Sequence, residues 1–182
     1  LEKLSTIILL CSSGILQSLL RNPDSIWEIE ILHFRDAIPA AKTVFVSPWI
    51  TTLSGFSAAN ILDNFCDIIL VGDSMANVLY GLKHTHKLTL DTIIQHTLSV
   101  KQGIKKSLLV VDMPKNSYIN QTKAEKNAKL IMRLTKCDAV KLESNKQNFK
   151  IIENLVRKKI PVMGHIGFTP QFNKKFKVEG VT

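Results

Sequence analysis

Three acidic residues stand at the ends of short apolar runs in this chain of 182 residues. Asp73 follows Ile-Ile-Leu-Val-Gly, Asp112 follows Leu-Leu-Val-Val, and Glu143 ends Ala-Val-Lys-Leu-Glu. If the runs are strands of a parallel α/β barrel, their carboxyl ends meet on one face, so the acids converge although they are far apart in sequence. Convergent carboxylates repel one another unless a cation lies between them, and hard divalent ions prefer carboxylate oxygens. The pattern therefore predicts a metal site formed by Asp73, Asp112 and Glu143.

Lys141 adds a cation to this predicted site. It stands two residues before Glu143, and alternate residues of a strand point to the same face of the sheet. Lys141 and Glu143 can therefore address one ligand, although an exposed ion pair would show the same spacing. Asp73 and Asp112 also have simpler interpretations, since single acids after strands often form turns or cap helices.

The histidines give weaker indications. His84 and His86 have no third ligand nearby in the sequence, so we interpret them as part of a polar loop rather than as a metal pair. His165 lies between Gly164 and Gly167 at a predicted strand end. Contact with a ligand and organisation of the backbone are equally compatible with that position.

Alternating strands and helices must position these side chains, and from residue 50 onward the sequence alternates between strand-like and helix-like patterns. Strands are predicted at 50–53, 68–71, 108–111 and 139–142, and a fifth begins at 161–163. Between them, helical spacing predicts a helix bearing Ala58, Ile61, Leu62 and Phe65 and a second over 90–102 that ends at Gly103. A third helix is predicted to open with a capping box at Thr122 to Glu125, and a fourth to carry Phe149, Ile152, Leu155 and Val156.

Composition limits the class of protein. The chain is 45% hydrophobic, enough for the core of one globular domain. Its cysteines (Cys11, Cys66 and Cys137) are odd in number and widely spaced, which favours a reducing, cytoplasmic setting. The net charge of +9 comes from scattered lysines, which we interpret as solvated helix faces rather than a nucleic-acid surface, and no apolar run is long enough to span a membrane.

Residues 1–48 do not follow the strand and helix rhythm, since Pro23, Pro39 and Pro48 interrupt short apolar segments. We therefore expect an atypical N-terminal extension over 1–48 and a partial barrel domain over 49–182.

Five segments resemble the ketopantoate hydroxymethyltransferase family, also called 3-methyl-2-oxobutanoate hydroxymethyltransferase. They occur in family order at 68–74 (IILVGDS), 89–97 (TLDTIIQHT), 109–114 (LVVDMP), 138–143 (DAVKLE) and 161–171 (PVMGHIGFTPQ). The resemblance covers residues 50–182. It implies a TIM (β/α)8 barrel of the phosphoenolpyruvate/pyruvate-binding type, of which about the first five βα units are present here.

The resemblance also implies a reaction. Members transfer a hydroxymethyl group from 5,10-methylenetetrahydrofolate to 3-methyl-2-oxobutanoate, giving 2-dehydropantoate in pantothenate and coenzyme A biosynthesis, and they use Mg²⁺. By motif, Asp73, Asp112 and Glu143 would bind the metal, while Asp73, Ser74, Asp112 and Lys141 would bind the 2-oxo acid. His165 matches a histidine near the substrate. The ion would act as a Lewis acid toward the developing enolate, and Lys141 would add a positive charge beside it.

The catalytic base of the family is a glutamate on a later strand, and its matching segment lies beyond Thr182. We therefore expect residues 1–182 to show no detectable transfer activity on their own. Two alternatives remain, namely a related magnesium-dependent 2-oxo-acid lyase and an inactive remnant or binding module that lacks the base. A complete enzyme of this type is expected to be a cytoplasmic homo-oligomer that binds neither nucleic acid nor membranes.

Overall fold

A parallel sheet of five strands forms the centre of the computed structural model, which describes residues 6–10, 55–145, 148–166, 169 and 171–172. The strands are β1 (Thr6–Leu10), β2 (Ile68–Val71), β3 (Leu108–Asp112), β4 (Ala139–Glu143) and β5 (Val162–Ile166). Their order across the sheet is β1-β5-β4-β3-β2, and every pair is parallel. Consecutive strands β2 to β5 are therefore neighbours whose carboxyl ends share one edge.

Helices connect these strands. The α-helices are α1 (Phe56–Leu62), α2 (Met75–Val78), α3 (Leu90–Gly103), α4 (Gln121–Thr135) and α5 (Phe149–Arg157), with a short 3-10 helix at Thr85–Lys87. No helix of the described ranges combines the length and the apolar character needed to cross a membrane. The predicted α/β fold with a parallel sheet is confirmed, whereas the number of barrel units stays a prediction.

Both faces of the sheet are apolar. The main core lies between the sheet and the helices and includes Ile69, Val71, Leu109 and Val111. A smaller cluster of Leu70, Val110, Ala139 and Met163 alternates with these positions and so occupies the opposite face. Strands buried on both faces are typical of parallel sheets, and this explains why the strands read as nearly continuous apolar runs.

Helix α1 differs from its prediction. The structure buries Ala59 completely and leaves Ile61 and Phe65 63% and 73% exposed. A Cβ atom on Gly103 would lie 2.6 Å from the carbonyl oxygen of Phe56, so α3 packs against α1 at a distance that only glycine allows. Small residues at this contact determine the buried face, and the apolar spacing could not indicate that.

The predicted capping box on α4 is wrong. The N-cap is Asn120, whose side-chain oxygen accepts a hydrogen bond from the backbone N–H of Lys123. Glu125 instead pairs with Lys129 on the helix surface. Asparagine caps as well as threonine does, so the sequence offered two starting points two residues apart.

The strand predictions at 68–71, 108–111 and 139–142 are confirmed, and β5 begins one residue later than predicted. The predicted strand at 50–53 lies outside the described residues. Residues 6–10, part of the predicted extension over 1–48, run parallel to β5 and join the same sheet. The proposed division at residue 48 itself stays a prediction.

Asp63, just after α1, anchors the loop that leads into β3. Its carboxylate accepts hydrogen bonds from the backbone N–H groups of Lys105, Lys106 and Ser107 at 2.8 to 3.1 Å. Burial raises the pKa of Asp63, but these hydrogen bonds outweigh it and lower the pKa to about 2. The contact fixes the start of β3 and thereby the strand that carries Asp112.

Candidate functional site

The predicted site residues lie at the shared carboxyl edge of the sheet. Asp73 follows β2 after one glycine, Asp112 ends β3, and Glu143 ends β4. All three are buried, with at most 8% of the residue surface exposed. The structure therefore places the three acids of the sequence pattern at one edge of the sheet.

Lys141 forms a buried ion pair with Asp112. Its ammonium nitrogen lies 2.6 Å from Asp112 Oδ1, while Asp112 Oδ2 accepts the backbone N–H of Asp73 at 3.1 Å. The two residues are adjacent in the β3–β4 register, so the sheet itself aligns them. This contact excludes the exposed ion pair that was the alternative interpretation of Lys141 and Glu143.

The acids differ in their tendency to ionise. Burial and the negative charge of Asp112 raise the pKa of Asp73 to about 6, although Lys141 and Gln171 oppose the shift. Burial is also the main reason that the pKa of Glu143 rises to about 8. Burial lowers the pKa of Lys141, but attraction to Asp112 and Asp73 outweighs that effect and leaves it raised. The cluster thus holds more negative groups than its one ammonium can neutralise.

Gln171, at 2% exposure, connects the acids from the other side. Its backbone N–H donates to both carboxylate oxygens of Glu143 at 3.1 and 2.9 Å, and its side-chain Nε2 donates to Asp73 Oδ2 at 2.8 Å. The Tyr118 hydroxyl donates to Gln171 Oε1 at 2.5 Å. Burial and the charge of Glu143 raise the pKa of Tyr118, so this hydroxyl keeps its proton.

His165 completes the edge on β5, in register with Glu143. It is 7% exposed, and neither ring nitrogen has a hydrogen-bond partner among the described residues. Burial, reinforced by Lys141, lowers the pKa of His165 to about 3. The imidazole is therefore neutral and offers one donor and one acceptor. This favours contact with a ligand over a purely backbone role.

The donor set suits a hard divalent cation in chemistry and charge. All three acids offer oxygen ligands, and a cation among them would favour the ionised forms of Asp73 and Glu143, whose pKa values are raised. Within the described ranges, however, no three acidic, histidine or cysteine side chains converge closely enough to form a metal site as they stand. Lys141 and Gln171 donate to carboxylate oxygens of all three acids, so each acid is hydrogen-bonded as well as buried. The assignment of all three acids as metal ligands stays a prediction.

Ser74, a predicted substrate ligand, follows Asp73 directly and precedes α2. It is half-buried, and its side chain does not cap that helix. His84 and His86 stack on each other with ring centroids 5.7 Å apart, and the Lys115 ammonium lies 3.2 Å from His86 Nε2. The positive charge of the Lys115 ammonium at that distance disfavours the binding of a metal ion by these histidines, which supports the polar-loop interpretation.

Sequence reasoning gave no role to Gln171 or Tyr118. Gln171 does occur in the motif at 161–171, in the segment that follows β5, which ends at Ile166. That position was an available signal. Tyr118 lies in the loop after β3, where nothing in the local pattern distinguishes it from a core aromatic.

Comparison with known proteins gives a consistent result. The sequence profile of a family described as ketopantoate hydroxymethyltransferase matches residues 41–182. A 3-methyl-2-oxobutanoate hydroxymethyltransferase of Pelagibacter ubique (strain HTCC1062) is 51% identical over 133 residues, which are 72% of this chain and 52% of that protein. The enzyme of the same name from Anaplasma marginale (strain Florida) is 47% identical over 130 residues, 70% of this chain and 47% of that protein. The chain spans about half the length of the curated relatives it matches.

Proposed function

Because this chain belongs to the ketopantoate hydroxymethyltransferase family, we propose that it binds 3-methyl-2-oxobutanoate together with Mg²⁺ at the carboxyl ends of β2 to β5. The protein that contains these residues would transfer a hydroxymethyl group from 5,10-methylenetetrahydrofolate to that 2-oxo acid. The product would be 2-dehydropantoate, a precursor of pantothenate and coenzyme A.

The buried charge cluster is the observation that carries this proposal. Three carboxylates and one ammonium, all at most 8% exposed, occupy one edge of an otherwise apolar sheet. Burying charge is unfavourable unless each group is paired, and here the negative groups exceed the positive one. Perturbed pKa values of this kind concentrate at functional sites. A divalent cation bound at this edge would neutralise the surplus negative charge and would bind an anionic substrate.

Each residue then has a defined task. Asp73 and Asp112 would hold the ion with Glu143, and Mg²⁺ would supply Lewis-acid polarisation of the keto oxygen. Lys141, held by Asp112, places a fixed positive charge where the substrate oxygen becomes negative, which stabilises that charge without rearrangement. Ser74 and the neutral imidazole of His165 can hydrogen-bond to the 2-oxo acid. No described residue is assigned the role of general base.

Calorimetric titration of 3-methyl-2-oxobutanoate in the presence of Mg²⁺ tests the proposal. We expect saturable binding that requires the metal and weakens at least about tenfold in Asp73→Ala and in Asp112→Ala, because each removes a carboxylate from the ion. Glu153→Ala removes an exposed acid from α5 and serves as the matched control, with unchanged affinity expected. Equal affinity of the wild type and both aspartate variants would reject the assignment.

A further inference from the structure

Gln171 links the ends of three strands through one residue. Its Nε2 donates to Asp73 after β2 and to the carbonyl oxygen of Met113 after β3, the latter at 3.2 Å. Its backbone N–H donates to Glu143 at the end of β4. The polar groups of Gln171 thus face the site rather than the apolar core.

The partners of Gln171 determine which way its side-chain amide points. A glutamine amide has a donor end and an acceptor end that are nearly equal in shape, so its orientation depends on its hydrogen-bond partners. The Asp73 carboxylate and the Met113 carbonyl oxygen only accept, so they select the nitrogen end, and the Tyr118 hydroxyl then donates to the oxygen end and holds the amide in place. Were the amide reversed, its oxygen would face a carboxylate oxygen and repel it. The Tyr118 ring is itself held by an edge contact with Phe172, with centroids 6.1 Å apart.

We propose that Gln171, held by Tyr118, is a positioning residue for a divalent cation and its 2-oxo acid: its side chain places the Asp73 carboxylate and its backbone N–H places the Glu143 carboxylate. The inference rests on the proposed function and extends it, since neither residue is among the predicted ligands. Carboxylates that share a small buried volume repel each other, and Gln171 counters this by donating to both. Partners that orient metal ligands in this way typically change metal affinity by about 10- to 100-fold when they are removed.

Titration of the full chain with Mn²⁺, which accepts the same oxygen ligands as Mg²⁺, provides a readout that does not depend on turnover. We expect Gln171→Met, which keeps the side-chain length and the backbone bond to Glu143 but removes the side-chain bond to Asp73, to weaken Mn²⁺ binding by about 10- to 100-fold. Tyr118→Phe should weaken it by about 3- to 10-fold, the effect of losing one hydrogen bond. Tyr80→Phe removes a hydroxyl that bonds His96 on the surface and is the matched control, with no change expected.

The double variant separates positioning from bulk structure. If Tyr118 acts through Gln171, then Tyr118→Phe adds nothing to Gln171→Met, and the double variant binds Mn²⁺ like Gln171→Met alone. Independent, multiplicative losses would overturn the proposal. Should Gln171→Met fail to fold, the Mn²⁺ affinities of Tyr118→Phe and Tyr80→Phe are enough to test the proposal, since only Tyr118→Phe should bind more weakly than the wild type.

Three other outcomes also contradict the inference, and they differ in what else they reject. If the wild type binds Mn²⁺ and Tyr118→Phe binds it equally well, then the positioning role is wrong while the proposed function stands. If unfolding in urea shows lower stability but the folded protein keeps its Mn²⁺ affinity, then Gln171 is structural only. Absence of Mn²⁺ binding by the wild type would reject both the inference and the metal site on which it rests.

Discussion

Removing the Lys141 ammonium should destabilise the protein far more than removing a surface ammonium. Lys141 lies 2.6 Å from Asp112, and their side chains are only 9% and 4% exposed. At an effective dielectric constant of about 20, unit charges at that separation attract by roughly 6 kcal/mol, most of which offsets their loss of hydration. Lys141→Met keeps the length of the side chain but leaves Asp112 buried without its cation. Such a break typically costs about 3 to 5 kcal/mol.

The chain contains a matched control for this experiment. Lys129 pairs with Glu125 at 2.5 Å, but the two side chains are 57% and 23% exposed. Lys129→Met makes the same chemical change at a similar distance, and we expect it to cost less than about 1 kcal/mol because water and salt screen exposed pairs. The contrast between the two variants therefore isolates the effect of burial.

Urea unfolding followed by far-ultraviolet circular dichroism measures both changes at neutral pH. A double-mutant cycle with Asp112→Asn completes the test, because removing both charges should cost less than the sum of the single losses by about 2 kcal/mol or more. The reasoning would be refuted by Lys141→Met and Lys129→Met costing the same. It would equally be refuted by a coupling energy between Lys141 and Asp112 indistinguishable from zero.

Three further predictions concern the scaffold. Gly103→Ala should destabilise the protein by about 1 to 3 kcal/mol through overpacking, since the new Cβ atom would lie 2.6 Å from the Phe56 carbonyl oxygen. Gly55→Ala is the control, because a Cβ atom there has no atom within 4 Å. Equal urea midpoints for the two variants would contradict the packing argument. Asp63→Asn should lower the free energy of unfolding by roughly 2 kcal/mol at neutral pH, because the carboxyl has a pKa of about 2 in the folded protein and 3.8 when unfolded. The ionised carboxylate stabilises the fold above pH 4, and this contribution is lost as the pH falls toward 2. A difference between variant and wild type that stays constant between pH 6 and pH 3 would exclude this. Asn120→Ala should lower the free energy of unfolding by about 1 kcal/mol, because it removes the α4 cap. Thr122→Ala, at the cap that the sequence wrongly predicted, should lower it less. The reverse ranking of the two variants in thermal unfolding would support the capping box instead.

The strands were predictable because their residues are buried on both faces. Most residues of each strand from β2 to β5 are apolar, and in this sheet order that pattern leads directly to the shared edge that carries Asp73, Asp112 and Glu143. Convergence of the acids follows from parallel geometry alone. The pairing of Lys141 with Asp112 rather than with Glu143 did not follow, because it depends on the β3–β4 register, and strands that are apolar on both faces show no alternation from which the register could be predicted.

Contacts between helices and contacts made by loops were harder to predict from the sequence. The buried face of α1 depends on the close approach at Gly103, a property of two helices together rather than of either sequence. The cap of α4 depended on a choice between Asn120 and Thr122 that local chemistry leaves nearly equal. Gln171 and Tyr118 meet across 53 residues of chain, and no local spacing encodes such a contact.

The hydrogen bond from Gln171 to Asp73 joins residues 98 positions apart, whereas the bonds that link Asp112 to Asp73 and to Lys141 span 39 and 29 positions. Contacts between distant residues form late, because the entropy of closing the intervening chain must be overcome first. During synthesis, strands β2 to β4 can pair while the glutamine that connects their acids is still missing. Completion of the binding edge therefore requires the chain through Gln171, and affinity for a ligand at this edge would report that β2 to β4 and Gln171 have come together.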